Sequence, residues 1–142
     1  GNHKPPSYRP TAIRTLDVCP SAARHYRAYE AAAIEYAAKG CPAVTVRRSL
    51  CDAGPGIGEA QVRACTHIVV MPDGGVGCPE GYWDTVSLFG GGAYALVYIA
   101  DDAPRGAPAH TLGHVLGFDH ATSATSVMHA EPGTDYDRIA CQ

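Results

Sequence analysis

The sequence has little charge, few Phe and Trp residues and no long apolar run. Charged residues make up 18% of the 142 residues, and there are only two Phe and one Trp. No stretch reaches the roughly 18 unbroken apolar residues of a transmembrane helix, so no membrane partner is expected. The net charge of −3 and the absence of a Lys/Arg block predict that nucleic acid is not a partner either.

Several common motifs are also missing. No Cys-x-x-Cys pair is present, which argues against a cysteine zinc site or a thioredoxin-like redox motif. The glycine-rich stretch "CDAGPGIGE" (51–59) lacks the phosphate-binding fingerprint and is interpreted as a loop. There are no internal repeats. No signal peptide opens the chain, so we expect a mature or trimmed form.

The cysteines are even in number but widely and irregularly spaced. This pattern favours three disulfides in an exported, extracellular protein, with 15 possible connectivities. Free buried thiols in a cytosolic protein are the alternative. The six are Cys19, Cys41, Cys51, Cys65, Cys78 and Cys141.

The length and the 46% hydrophobic content predict one globular domain over residues 1–142, and we expect a monomer. Residues 1–18 are Pro-rich and predict an extended N-terminal arm. "SAARHYRAYEAAAIEYAAKG" (21–40) predicts a helix that Ser21 would cap at its start and Gly40 at its end. Its stripe facing a sheet would be Ala22, Tyr26, Tyr29, Ala33, Ile34 and Ala37.

Three runs predict strands: "AVTVRRSL" (43–50), "THIVVMP" (66–72) and "GGGAYALVYIADD" (90–102). "PDGGVGCPEGYWD" (72–84) is interpreted as a loop, and "DYDRIACQ" (135–142) as a short closing helix. A helix, several strands and a second helix predict an α+β, or α/β-like, single domain.

Three histidines occur at a distinctive spacing in "PAHTLGHVLGFDH" (108–120). On a helix beginning near Pro108, His110 and His114 project from the same face. A sharp turn at Gly117 would bring His120 back as a third ligand. Three neutral imidazoles with an open fourth position predict a catalytic-type site for one Zn²⁺ ion. The histidines at 25, 67 and 129 are interpreted as ordinary core or surface residues.

This stretch resembles the extended motif H-E-x-x-H-x-x-G-x-x-H of the metzincin metallopeptidases at every fixed position except Thr111. "SVMH" (126–129) looks like the Met-turn of that family, with Met128 as a hydrophobic floor beneath the metal. The specific resemblance covers about residues 90–129. It implies a twisted, mixed five-stranded sheet, a backing helix, an active-site helix, a small C-terminal subdomain and a cleft beside the zinc.

The run "GGGAYALVY" (90–98) resembles the edge strand of those enzymes, which pairs with an extended peptide substrate. A peptide or protein substrate would then lie antiparallel to the backbone of Gly92, Ala93, Tyr94, Ala95 and Leu96. Some metzincins place an additional tyrosine ligand two residues after the methionine. Ala130 stands at that position here, so no such ligand is expected.

Thr111 occupies the catalytic position of the general-base glutamate. A hydroxyl is far too weak a base for that proton transfer, and the loss of a general base costs about 10²- to 10⁴-fold in rate. The prediction is a secreted zinc metalloendopeptidase-like protein that is inactive or strongly impaired. Thr111 could instead be an engineered replacement or mark a natural peptide-binding pseudopeptidase. A further alternative is a metalloenzyme that uses the three histidines for a reaction other than peptide hydrolysis. Asp119, Glu131 or the substrate would then supply the base.

Overall fold

The computed structural model describes residues 11–50, 67–71, 84–123, 125–129, 139 and 141. In chain order its elements are β1 (Thr15–Val18), a 3₁₀ helix (Pro20–His25), α1 (Tyr26–Ala38), β2 (Thr45–Arg48), β3 (His67–Met71), β4 (Asp84–Phe89), β5 (Tyr94–Ala100) and α2 (Ala107–Val115).

The strands form a five-stranded mixed sheet in the order β2-β1-β3-β5-β4. The pairs β1–β2, β1–β3 and β3–β5 are parallel, and β4 runs antiparallel to β5 at one edge. The helix α1 makes the crossover that two adjacent parallel strands such as β1 and β2 require. The five-stranded mixed sheet implied by the metzincin resemblance is therefore present.

The two α-helices of the described ranges form a second layer on the sheet. Helix α1 contacts β2 and α2, whereas α2 contacts β4 and β5 as well as α1. Since the helices touch each other, they cover the same face of the sheet. Buried side chains between the layers include Leu16, Tyr36, Ile99 and Leu112. The predicted α+β class is confirmed, with α2 placed over the β4–β5 half of the sheet.

The predicted first helix is correct in place but wrong in detail. It starts as a 3₁₀ helix, with Pro20 in its first turn and no side-chain cap, so the N-cap assigned to Ser21 is wrong. Because a 3₁₀ helix turns faster per residue than an α-helix, the buried face is shifted along α1. Ile34 and Ala37 are exposed, whereas Ala32 and Tyr36 are buried in their place. Gly40 has φ +88° just after the helix, as predicted.

Strand β4 was missed, and this corrects the predicted edge. Residues 90–92 have φ of 59°, 67° and 96°, so the glycines form the turn between β4 and β5. Gly92 and Ala93 are in that turn, and Tyr94, Ala95 and Leu96 pair with Phe89, Leu88 and Ser87 of β4. Leu96 also pairs with His67 of β3. Among the described strands, the edge of the sheet is therefore β4 and not the run 92–96.

The end of the predicted extended arm enters the sheet as β1. Asp17, in the middle of β1, has no solvent exposure, and its carboxylate accepts a hydrogen bond of 2.5 Å from Arg47 of β2. The guanidinium of Arg48 lies 4.0 Å from the centre of the Tyr26 ring. Of the two arginines at the end of β2, Arg47 therefore pairs with Asp17 and Arg48 lies over the Tyr26 ring.

A disulfide joins Cys41, just after α1, to Cys141 near the C-terminus. Cys19 is also disulfide-bonded. The remaining cysteines, the predicted closing helix and most of the expected C-terminal subdomain lie outside the described residues. Within the described ranges, no helix is long and apolar enough to cross a membrane.

Candidate metal centre

Helix α2 carries the histidine motif through the interior of the protein. Pro108 lies in its first turn, where a residue without an amide hydrogen is tolerated, and this confirms the predicted start. All nine residues of the helix are buried. The helix is therefore held on every side, which fixes the direction of each side chain that it presents.

The helix ends in a hydrogen-bonded glycine turn. Gly117 has φ +98°, a left-handed conformation that glycine adopts without strain. The amide of Gly117 donates to the carbonyl of His114 at 3.0 Å, and that of Phe118 donates to the carbonyl of Gly113 at 2.8 Å. These two bonds are the Schellman pattern of helix termination. The predicted reversal at Gly117 is confirmed, and it returns the chain towards the helix at His120.

The three predicted ligands meet. Each of His110, His114 and His120 offers a ring nitrogen, and these atoms lie within 4.8 Å of one another. The ring centres are 4.6 Å apart for His110–His114, 5.2 Å for His110–His120 and 4.9 Å for His114–His120. His110 and His114 are fully buried and His120 is partly buried. The cluster is a group of donors that could hold one metal ion.

Backbone carbonyls orient the two helical rings. Nδ1 of His110 lies 2.7 Å from the carbonyl oxygen of Val127, and Nδ1 of His114 lies 2.7 Å from that of Phe118. A carbonyl only accepts, so each Nδ1 donates its proton and each Nε2 keeps the lone pair that a metal needs. Burial lowers the pKa of His110 to about 4 and that of His114 to about 3. Both rings are therefore neutral at neutral pH, the form that binds metal.

Met128 packs under α2, close to Gly113. Its side chain is 1% exposed. The hydroxyl of Tyr36 donates to the carbonyl of Ala109 at 2.8 Å and contacts the Met128 sulfur at 3.7 Å. A Cβ at Gly113 would lie 2.3 Å from that sulfur and 2.7 Å from the Tyr36 oxygen. The close packing of helix, methionine and tyrosine thus requires glycine at 113.

Replacing Gly113 by alanine is expected to destabilise the protein by about 1–2 kcal/mol. Ala normally gains about 1 kcal/mol over Gly inside a helix, but overpacking a core costs about 1–3 kcal/mol, and here the methyl would overlap two fixed groups. Urea unfolding measures the difference. In a Met128→Ala background the loss should fall by more than half, because the sulfur is gone. An equal loss in both backgrounds would contradict the packing argument.

A carboxyl group lies next to the side chain of Thr111. Its hydroxyl is 2.8 Å from Oδ2 of Asp84, the first residue of β4, and 2.7 Å from the carbonyl oxygen of Ala107. Thr111 and Asp84 both have no solvent exposure. Burial raises the pKa of Asp84 to about 7, against a smaller lowering effect of the Thr111 hydrogen bond. The carboxyl therefore holds its proton more readily than an ordinary aspartate.

The sequence places Asp84 at the end of a predicted loop and does not indicate a role for it in the site. Asp is depleted in strands, so an aspartate beside an apolar run is a weak sign of a special role. Nothing in the local sequence relates position 84 to position 111.

The other residues considered as bases or ligands have different surroundings. Asp119 accepts a hydrogen bond of 2.6 Å from the amide of His120, as a loop cap does, and Glu131 lies outside the described residues. His25 lies 3.2 Å from the carbonyl of Ala100, away from the cluster, and His129 forms an isolated bridge with Ala121.

Comparison with known proteins adds little to this geometry. No protein-family model and no curated protein matches the sequence. Among solved structures, the chain is similar to metalloproteinase-II from Bacteroides fragilis, with 13% identity and a TM-score of 0.48. The match covers 89% of this chain and 49% of that one, so this chain spans about half of that protein's length. The assignment of the site therefore depends on its own residues.

Proposed function

We propose that this protein is a zinc-binding, metzincin-like member of the metallopeptidase type that acts outside the cell on peptide or protein substrates. The observation that carries the proposal is the convergence of His110, His114 and His120, whose ligand atoms lie within 4.8 Å of one another. Two of these rings are held in the metal-binding tautomer by backbone carbonyls. Neutral imidazoles with their ring nitrogens this close together suit a divalent metal ion.

Three imidazoles fit zinc in a catalytic arrangement, which leaves a position for water or substrate. When bound, the ion would supply Lewis acidity towards a carbonyl group and towards water. The chain itself would position the ligands. The turn at Gly117 places His120, and the carbonyls of Val127 and Phe118 orient the rings of His110 and His114. No tyrosine ligand is available two residues after Met128.

Strand β4 is the best candidate for the substrate-binding element. It pairs with β5 on one side only and is the last strand of the described sheet. Its first residues lie against α2, since Asp84 contacts Thr111. An extended peptide could add to this edge by backbone hydrogen bonds and so pass the metal site. The peptide would then lie along residues 84–89 and not along 92–96.

Hydrolysis is proposed to be slow. Thr111 provides no carboxylate on the helix, and its hydroxyl is occupied by Asp84 and Ala107. The rate should be lower than that of an enzyme with a helical glutamate by about 10²- to 10⁴-fold. The disulfide between Cys41 and Cys141 supports an oxidising, extracellular location.

The test is metal analysis of the protein purified without chelators, followed by hydrolysis and binding assays on a peptide library. We expect about one equivalent of zinc and slow cleavage that a chelator abolishes. Less than about half an equivalent of zinc, also after reconstitution, would contradict the proposal. Peptide binding without cleavage would indicate a pseudopeptidase. Zinc without any peptide binding would favour a non-peptidase metalloenzyme.

A further inference from the structure

Strand β2 ends the described sheet on the side opposite to β4, and within the described ranges it pairs with β1 alone. The amides of Thr45 and Ser49 donate to carbonyl groups of the segment 14–18, at 2.9 Å and 3.2 Å. Because successive residues of a strand direct their backbone groups to opposite sides, the amides of Val46 and Arg48 point away from β1. Such a row of outward backbone groups is a template for the addition of another strand.

An apolar groove lies on the helix side of this edge, between α1 and β2. Ala33, Ile34 and Ala37 form its helical wall, and Val44 and Val46 line it from the side of the strand. The side chain of Ile34 is 65% exposed, although it is a large apolar group. In a strand added to β2, every second side chain would point to the helix side and enter this groove.

The charged groups at this edge divide it into two parts. Arg48, at the end of β2, is exposed, and its guanidinium lies 4.0 Å from the centre of the Tyr26 ring. The Tyr26 hydroxyl lies 3.4 Å from the carbonyl oxygen of Val46 and donates at 3.3 Å to the carboxylate of Glu30 in the groove wall. An acidic side chain is therefore attracted beside Arg48 and repelled beside Val46, where an aliphatic side chain fits.

The same charges decide between a second copy of this chain and a different partner. Strand β2 has only four residues, and two of them are Arg47 and Arg48. Pairing β2 with itself would place both arginines of each copy along one short junction, where like charges are destabilising. A partner strand that carries a carboxylate opposite Arg48 complements the edge instead.

We propose that β2 and its groove form a docking edge for an extended segment of a partner protein. This segment has aliphatic side chains at two alternate positions and an aspartate or glutamate at the next alternate position. The aliphatic pair lies opposite Val44 and Val46, the carboxylate lies opposite Arg48, and outward backbone groups of β2 supply the hydrogen bonds. Since β2 and β4 are at opposite edges of the described sheet, the inference goes beyond the proposed function and does not depend on a metal ion.

The test measures the binding of synthetic fluorescein-labelled peptides to the purified full chain by fluorescence anisotropy. The acidic peptide carries two valines separated by one threonine, followed by a further threonine and a glutamate. A basic peptide has lysine in place of the glutamate, and a third peptide has the same composition with the two valines adjacent. The same set in reversed order covers the opposite strand direction. The acidic peptide should bind about 5- to 10-fold more tightly than either control.

Val46→Pro removes the outward amide of β2 and leaves the amides that pair with β1. Proline is tolerated on an edge strand where the N–H faces solvent, so the melting temperature should change by less than about 5 °C. The affinity for the acidic peptide should fall about tenfold or more. Ile34→Ser alters an exposed wall of the groove without touching the strand, and it should weaken binding by about fivefold even if Val46→Pro does not fold.

Arg48→Glu should reverse the preference, with the acidic peptide bound about 5- to 10-fold more weakly and the basic peptide more tightly by a similar factor. A merely structural Arg48 would not give this exchange. Arg105→Glu is the matched control, because Arg105 is also exposed but lies just before α2, and it should change neither affinity by more than about twofold. His114→Ala should bind the acidic peptide as the unmodified chain does.

Equal binding of the acidic and basic peptides would overturn the proposal, and so would unchanged binding by a folded Val46→Pro variant. Binding that is lost in His114→Ala would place the peptide at the histidine cluster and would also overturn it. Self-association of the unmodified chain that Val46→Pro abolishes would assign the edge to a second copy, against the proposal. Sedimentation velocity over a range of protein concentrations detects that outcome.

Discussion

Replacing His114 by alanine is expected to weaken zinc binding by about 10²- to 10³-fold. Zinc sites with four protein ligands bind with about 10–16 kcal/mol, which is about 2.5–4 kcal/mol for each ligand. His114 is central to the cluster, with ring centres 4.6 Å from His110 and 4.9 Å from His120. Its loss leaves two imidazoles, one of them beyond the glycine turn. A competition titration against a zinc indicator at pH 7.5 gives the dissociation constant directly.

The matched control is His25→Ala. His25 is partly buried and, like His114, lies near a backbone carbonyl, that of Ala100 at 3.2 Å, but it is not in the cluster. Its removal should leave zinc affinity within about threefold. His114→Gln fills more of the space of the imidazole and separates loss of a ligand from a cavity in the core. Equal affinities of His114→Ala, His114→Gln and the unmodified protein would remove His114 from the site and with it the proposed centre.

The histidine cluster could be predicted from the sequence because its geometry is local. Two histidines four residues apart on a helix share a face whatever the rest of the chain does. A glycine three residues later permits the left-handed turn that few other residues adopt, and Gly117 has φ +98°. The whole arrangement, from Pro108 to His120, is contained in one helix and one turn. That is why it was predicted residue by residue.

The substrate edge and Asp84 could not be predicted in the same way, because both depend on pairing between distant segments. The run at 92–96 had the composition of a strand, but which of its sides was free depended on β4. Asp84 and Thr111 are 27 residues apart and meet only because β4 packs against α2. The position at 111 was correctly identified as unusual, yet its partner is visible only in three dimensions. The same holds for the face of α1, where six residues of 3₁₀ helix shifted the buried stripe.

Loss of the disulfide between Cys41 and Cys141 is expected to lower the free energy of unfolding by about 4–5 kcal/mol. The two cysteines are 100 residues apart, and closing a loop of that length restricts the unfolded chain by about this amount in the chain-entropy model. Cys41 also donates its amide to the carbonyl of Tyr36, whose hydroxyl holds α2 at Ala109. The disulfide therefore ties Cys141 to the helix that supports α2. Urea unfolding of Cys141→Ser and of the double serine variant measures the effect.

The exposed position of Cys141 makes this test selective. A substitution at an exposed residue usually changes stability by less than about 0.5 kcal/mol, so a loss of several kcal/mol at Cys141 must come from the covalent bond. The double variant should lose little more than Cys141→Ser, because one cysteine already breaks the bond. Zinc affinity measured under folding conditions should stay within about threefold, since all three ligands lie between residues 110 and 120. A large drop in zinc affinity at unchanged stability would mean that the disulfide shapes the site itself. A loss of unfolding free energy below about 1 kcal/mol would show that other contacts hold the segments of Cys41 and Cys141 together.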